Sequence, residues 1–175
     1  DILFGFVNGD SAEIYGVEFE GLKSLQFLSD TVGDWVNGFY VSGNLTLSDS
    51  EIKIEPGVST GNITNDSRQL TQHSDWVINA QLGYDSPNGK HGATLAYNVF
   101  DERILFAGIN GTDDAFEQPF HSVDLTYSYF PTDQVTLKLR VRNLLDEEQE
   151  VEQNDVTILE QKVGMTWLFD VSWSL

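Results

Sequence analysis

The last stretch of the chain, Val163 to Leu175, constrains the fold most: V-G-M-T-W-L-F-D-V-S-W-S-L. Val163, Met165, Trp167, Phe169, Val171, Trp173 and Leu175 alternate with Gly164, Thr166, Leu168, Asp170, Ser172 and Ser174. A period of two puts the first set, all large and apolar, on one face of an extended strand, with Leu168 the one large apolar residue on the other. Globular strands usually run about five or six residues. Thirteen alternating positions instead suit a strand that crosses a layer about 25 Å thick. A long strand in a soluble sandwich would carry the same stripe.

Composition narrows the classes. The 175 residues are enough for one domain with a core. No apolar run approaches the roughly eighteen residues of a spanning helix, and no basic segment followed by an apolar one opens the chain, which is expected of a mature protein or a fragment. The formal charge of −19 excludes a nucleic-acid binder, which needs basic surface to displace counterions. With no cysteine there are no disulfides and no thiolate chemistry. Barrel strands alternate, so modest overall hydropathy is compatible with a membrane location.

The same alternation recurs along the chain. Ile2 to Val7 reads as an apolar strand end closing at Asn8-Gly9-Asp10. Tyr15, Val17 and Phe19 then share one face, with Gly16, Glu18 and Glu20 on the other. A second strand is expected from Trp35 to about Ser48, with Phe39, Val41, Leu45 and Leu47 against Tyr40, Ser42, Asn44 and Thr46. A third, Asp75 to Tyr84, sets Trp76, Ile78, Ala80, Leu82 and Tyr84 against Val77, Asn79, Gln81 and Gly83. It meets a fourth, His91 to Phe100, with Ala93, Leu95, Tyr97 and Val99 opposite Thr94, Ala96 and Asn98, through the turn D-S-P-N-G-K, whose Pro and Asn-Gly signal a hairpin. A fifth runs from Phe120 to Tyr129. The sixth, Val135 to Leu144, sets Val135, Leu137, Leu139 and Val141 against Thr136, Lys138, Arg140 and Arg142. An acidic connection from Asp146 leads to the final strand.

Connections alternate in length: S-D-T-V-G-D, then a long polar segment from Asp49 to Ser74, then D-S-P-N-G-K, then Asp101 to Pro119, then F-P-T-D-Q, then the acidic segment. Short turns on one side and long loops on the other mark outer-membrane barrels. The apolar faces named carry no Lys, Arg, Asp or Glu. Tyr84, Tyr129 and Trp173 lie on them near the short-turn end, where an aromatic girdle meets the membrane surface. The opposite face, with Lys138, Arg140, Arg142, Glu18 and Glu20, would be a solvated face in a sandwich and a polar lumen in a large barrel.

Several stretches resemble the C-terminal part of TonB-dependent outer-membrane receptors. They are Gly16-Val17-Glu18-Phe19-Glu20, Trp76 followed by Gln81-Leu82-Gly83-Tyr84, Tyr97-Asn98, Gln118-Pro119 leading to Asp124, and Asn143-Leu144-Leu145-Asp146 before an external loop and a last alternating strand. The resemblance spans nearly the whole chain. It implies an all-β, antiparallel up-and-down meander that forms the C-terminal portion of a transmembrane β-barrel. The family's barrel has about 22 strands around a plug domain, so residues 1–175 would supply some seven or eight of them, without the plug. It also implies the outer membrane of a Gram-negative bacterium, contact with outer-membrane lipid, and coupling to a TonB-type protein through the N-terminal part. The function implied is energy-coupled uptake of a scarce small-molecule ligand, commonly an iron-siderophore complex. Leu175 stands where that family ends in an aromatic residue.

Two other readings stay open on the residues alone. One is a small complete eight-stranded barrel, either a membrane structural protein or a lipocalin-like binder; the other is a carbohydrate-binding or enzyme-associated sandwich. No enzyme signature, catalytic group or cofactor motif stands out: His73, His91 and His121 lack metal spacing, and neither a nucleophile elbow nor a phosphate loop is present. His73 is expected to be a solvated loop histidine. Asp49-Ser50-Glu51 and Asp113-Asp114 lack the spacing of a calcium loop and are expected to be solvated charge. Lys138, Arg140 and Arg142 form a cationic ladder that would contact the plug or guide an anionic ligand, unless it simply pairs with lumen carboxylates. Asn143 and Asp146 are expected as turn formers.

Overall fold

A computed structural model of the chain describes residues 10–54 and 63–174. Its strands are β1 (Ser11–Ser24), β2 (Phe39–Lys53), β3 (Ser67–Arg68), β4 (Trp76–Asp85), β5 (His91–Phe100) and β6 (Arg103–Phe106), followed by β7 (Ala115–Glu117), β8 (Ser122–Thr132), β9 (Val135–Arg142), β10 (Glu148–Gln153), β11 (Val156–Lys162) and β12 (Thr166–Trp173). The main sheet runs β1-β2-β4-β5-β8-β9-β12, antiparallel throughout, with β3 added to the end of β2. It is an open meander that does not close on itself, and β1 and β12 form its two edges. The strand end expected over Ile2 to Val7 lies outside the described residues.

Pairing register carries the sequence alternation across the sheet. Val41, Leu82, Leu95, Leu125, Val141 and Trp167 lie in one cross-strand row, and Phe39, Tyr84, Ala93, Tyr127, Leu139 and Phe169 in the next. A one-residue slip would send every one of these side chains to the polar face, so the pattern specifies the register. Many stay exposed, including Phe19, Leu95, Phe169 and Trp173. An apolar face this extensive, uncovered by a second layer, needs a nonaqueous neighbour.

Charges bracket that face. On the first two strands it continues inward to Lys23, opposite Val41, and outward to Asp49, opposite Tyr15. Lys23 Nζ lies 5.4 Å from the Phe27 ring centroid, and the Tyr15 hydroxyl donates to Asp49 Oδ2 at 2.8 Å. From Tyr15 to Lys23 is roughly 26 Å of strand, the scale of the apolar band on an outer-membrane barrel. Tyr84, Tyr129 and Trp173 sit toward the Lys23 end, and the Phe39 and Tyr84 rings pack with centroids 4.6 Å apart and planes tilted by 42°.

The long connections do more than was expected of them. β6, β7, β10 and β11 form a second sheet in the order β11-β10-β7-β6. Ile63 bridges to Ile109. Thr64 N–H donates to the Gly108 carbonyl, and Gln72 N–H to that of Ile104. Three separate loops are therefore tied to one another at the end of the sheet opposite the short turns. Ile104, Ala115 and Val151, three of the few buried apolar side chains among the described residues, belong to this outer sheet. The main sheet has little core of its own beyond Val99 and Val141.

Four boundaries differ from the sequence reading. Trp35 does not open β2 but sits in a 3-10 turn, Asp34–Gly38, with its indole N–H donating to the Val32 carbonyl at 2.7 Å. The first short connection is three consecutive helical turns over Leu25–Leu28, Ser29–Val32 and Asp34–Gly38. The acidic segment from Asp146 is the start of the β10–β11 hairpin rather than an irregular connection. The last strand is shorter at its start, because Gly164 takes φ +74° and Thr166 is the first paired residue. The Val163-Gly164-Met165 stretch continues the alternation by composition but serves as the bend between the two sheets.

Candidate functional site

The face opposite the apolar one is where this chain can meet a solute. Its central row runs Glu20, Asn44, Asn79, Asn98 and Ser122 across five strands. Asn98 Nδ2 donates to Asn79 Oδ1 at 2.6 Å, Asn79 Nδ2 to Asn44 Oδ1 at 2.7 Å, and Asn44 Nδ2 to Glu18 Oε1 at 2.9 Å. The three carboxamides thus form a one-directional relay that ends on a carboxylate. Strand spacing of about 4.8 Å sets facing amides within reach of one another, which is why Asn fits at these positions.

The relay floors a recess of about 320 Å³, lined also by Gln81, Ser42, Glu20 and Asp124. Among the described residues, two carboxylates and several neutral polar groups line it, and no Lys or Arg does. Asp124 is tied down: its Oδ1 accepts from Ser122 Oγ at 3.2 Å and from the Asn143 N–H at 3.0 Å.

The cationic ladder lies farther round the sheet, on β9. Arg140 Nη2 stands 3.6 Å from Asp170 Oδ2 on β12, with both side chains substantially exposed. Among the described residues, Lys138 and Arg142 have no carboxylate within 4.0 Å. The three cations therefore remain on the polar face, one strand beyond the recess: Arg142 and Asp124 flank the paired Val141 and Leu125 on adjoining strands, and among the described residues only Arg140 is matched by an acid.

Some loop residues behave differently from solvated charge. His73 is half-buried, and its Nε2 lies 2.9 Å from Ser48 Oγ on β2. Asp114 is 5% exposed, accepting the Gly108 N–H at 2.6 Å and Asn65 Nδ2 at 3.2 Å. It braces two loops as an internal acceptor. Glu51 accepts from Ser67 Oγ at 2.7 Å and pairs with Lys53 at 3.0 Å. Asn143 and Asp146 both take left-handed φ, 53° and 52°. On the outer hairpin, a hydrogen bond from Lys162 holds Glu148 below the ordinary carboxylate range. A hydrogen bond to Glu148 and that residue's charge push Glu160 upward.

Sequence reading named the cations but passed over the relay, although it had set Asn44, Asn79 and Asn98 on the polar face. The tight D-S-P-N-G-K turn was the available signal for half of it. Once Asp85 faces Gly92, counting outward along the hairpin sets Asn79 against Asn98. The Asn44–Asn79 contact joins strands separated by a long loop, and no turn fixes it in advance.

A single-layer antiparallel meander with an uncovered apolar face, a polar opposite face, short turns at one end and a loop-built sheet at the other is the wall of a transmembrane β-barrel. Residues 2–144 match the family model described as TonB dependent receptor-like, beta-barrel, and the chain belongs to that family. No curated protein and no solved structure matches it significantly. Proteins of this family are transporters, not enzymes, of the Gram-negative outer membrane, and they work with TonB-type energy-coupling proteins. Of the three readings the residues left open, family membership selects the receptor barrel.

Proposed function

We propose that this chain forms the C-terminal wall of a receptor for energy-coupled uptake of an iron-siderophore complex, with the plug and the coupling segment supplied by an N-terminal part of the protein. The observation that carries the reading is a ligand-sized polar recess on the inner face of a barrel wall whose family is built for uptake. The apolar face meets outer-membrane lipid. Lys138, Arg140 and Arg142 face the lumen, and their role in this reading is to meet acidic side chains of the plug: Arg140 shares Asp170 within the wall, while Lys138 and Arg142 have no acid of their own among the described residues.

The test is uptake of radiolabelled iron, supplied as ferric-siderophore complexes, by cells that express the full receptor. Accumulation above the receptor-free level, abolished when the coupling protein is deleted, supports the reading. Equal accumulation with and without the receptor overturns it. Lys138→Gln combined with Arg142→Gln is expected to lower accumulation while leaving the amount of folded receptor in the membrane unchanged.

A further inference from the structure

The relay and its recess say something about what the ligand looks like, and this step rests on the uptake reading above. Each Asn carboxamide carries two N–H bonds and one oxygen. In the relay one N–H of each is spent on its neighbour, and the oxygens of Asn79 and Asn44 each accept one such bond and keep a second lone pair. What faces the recess is therefore a set of spare amide N–H donors, with the amide oxygens and the carboxylates of Glu20 and Asp124 as acceptors beside them. A carboxylate or phosphate can only accept and would face Glu20 and Asp124 with no Lys or Arg among the described lining residues to bind it. An ammonium can only donate and would leave the amide N–H groups unanswered. A hydroxyl or a secondary amide does both.

We propose that the recess centred on Asn44, Asn79 and Asn98 is a ligand subsite for uncharged groups that both donate and accept hydrogen bonds, and that it selects uncharged chelates over anionic ones. A ferric complex of three hydroxamates is neutral and carries amide and hydroxyl groups on its periphery. A ferric complex of three catecholates is strongly anionic. The acidity of the outer sheet acts in the same direction, because β10 carries Glu148, Glu150 and Glu152 and β11 carries Glu160, and a surface of one sign repels ions of that sign.

The experiment measures binding of two probes, a ferric tris-hydroxamate and a ferric tris-catecholate, to the full receptor in detergent. Wild type, Asn79→Leu and Asn98→Leu are compared, using only variants that keep folded-barrel migration in unheated gels. The expected result is preference for the hydroxamate complex, with affinity falling roughly tenfold in either variant, as loss of about one to two hydrogen bonds implies. Preference for the catecholate complex, or hydroxamate affinity unchanged in both variants, overturns the subsite while leaving the uptake reading intact. If neither chelate binds, the iron reading itself falls. An array of uncharged oligosaccharides then decides the subsite: binding weakened by Asn79→Leu retains it, and a blank array removes it.

Discussion

Asn143 and Glu147 exchange hydrogen bonds at the root of the outer hairpin. Asn143 Oδ1 accepts the Glu147 N–H at 3.0 Å, and Asn143 Nδ2 donates to the Glu147 carbonyl at 3.0 Å. The same Nδ2 lies 3.4 Å from the Gly164 carbonyl, where the chain returns from β11 to β12. One side chain, 4% exposed, thus holds both strands of the hairpin where they leave the membrane wall.

Asn143→Ala removes these bonds and forces a Cβ-bearing residue without a local partner to keep φ 53°. The expected loss is about 3 kcal/mol, from buried backbone groups left unmet plus left-handed strain. Asn143→Gly should recover only the strain component. Hydrogen exchange of the β10–β11 amides in the full receptor checks both, and the hairpin should lose protection before β9 does.

A Cβ on Gly83 would overlap the Tyr40 ring, which lies across it from the neighbouring strand. Gly83 is the glycine of the Gln81-Leu82-Gly83-Tyr84 stretch, and its missing side chain is the space that the ring occupies. Gly83→Ala is expected to destabilise the wall by roughly 1 to 3 kcal/mol through overpacking. Combining it with Tyr40→Ala should cost less than the sum of the two single changes, measurable by urea unfolding in lipid vesicles.

The lipid face and the lumen face differ most sharply between neighbours in sequence. Leu95, flanked by Leu82 and Leu125, points to lipid, and Thr94 points to the lumen. Leu95→Arg is expected to cost roughly 2 to 4 kcal/mol in a bilayer, while Thr94→Arg should cost less than about 1 kcal/mol. Equal costs in the same unfolding experiment would refute the assignment of faces.

Glu160 lies opposite Glu150 in the β10–β11 register and hydrogen-bonds Glu148. Its folded pKa is raised, so its contribution to stability is present at low pH and is lost as pH rises through that value. Glu160→Gln removes the repulsion at neutral pH. The variant hairpin should exchange more slowly than wild type at pH 7, and the difference should vanish as the pH falls below the raised value, where the wild-type carboxyl is protonated. Glu148 has the opposite sign: its pKa is lowered by Lys162, so its contribution is lost as pH falls through the folded value.

The membrane wall was legible in the sequence because it repeats one rule. With lipid on one side and water on the other, Val135 to Val141 and Trp167 to Trp173 must alternate, and turns such as Asp85-Ser86-Pro87-Asn88-Gly89-Lys90 fix which residues face each other. The outer sheet was not legible, since β6, β7 and β10 are short and their partners come from loops far apart in sequence. Glu148 to Gln153 is mostly charged and amide, with Val151 the only apolar residue, and Val151 is buried only because β7 and β11 flank it. Asp114 misled for the same reason. Its burial depends on Gly108 and Asn65, which no local pattern brings to it. The relay lay between these cases: its members were on the correct face, but the cross-loop register that joins Asn44 to Asn79 was not available.

The bracing of the outer loops has a consequence for how such a receptor can change its ligand. Val151 pairs with Glu117, Gln153 Nε2 reaches the Asp113 carbonyl at 2.7 Å, and Asn65 reaches Asp114. Three loops so knotted together cannot be exchanged one at a time between relatives, because a foreign loop would arrive without the carbonyls and edges that its neighbours depend on. New surface recognition at this end of the protein has to be inherited as a block, or else be built by substitutions on the solvent side of a sheet whose inner side is already committed.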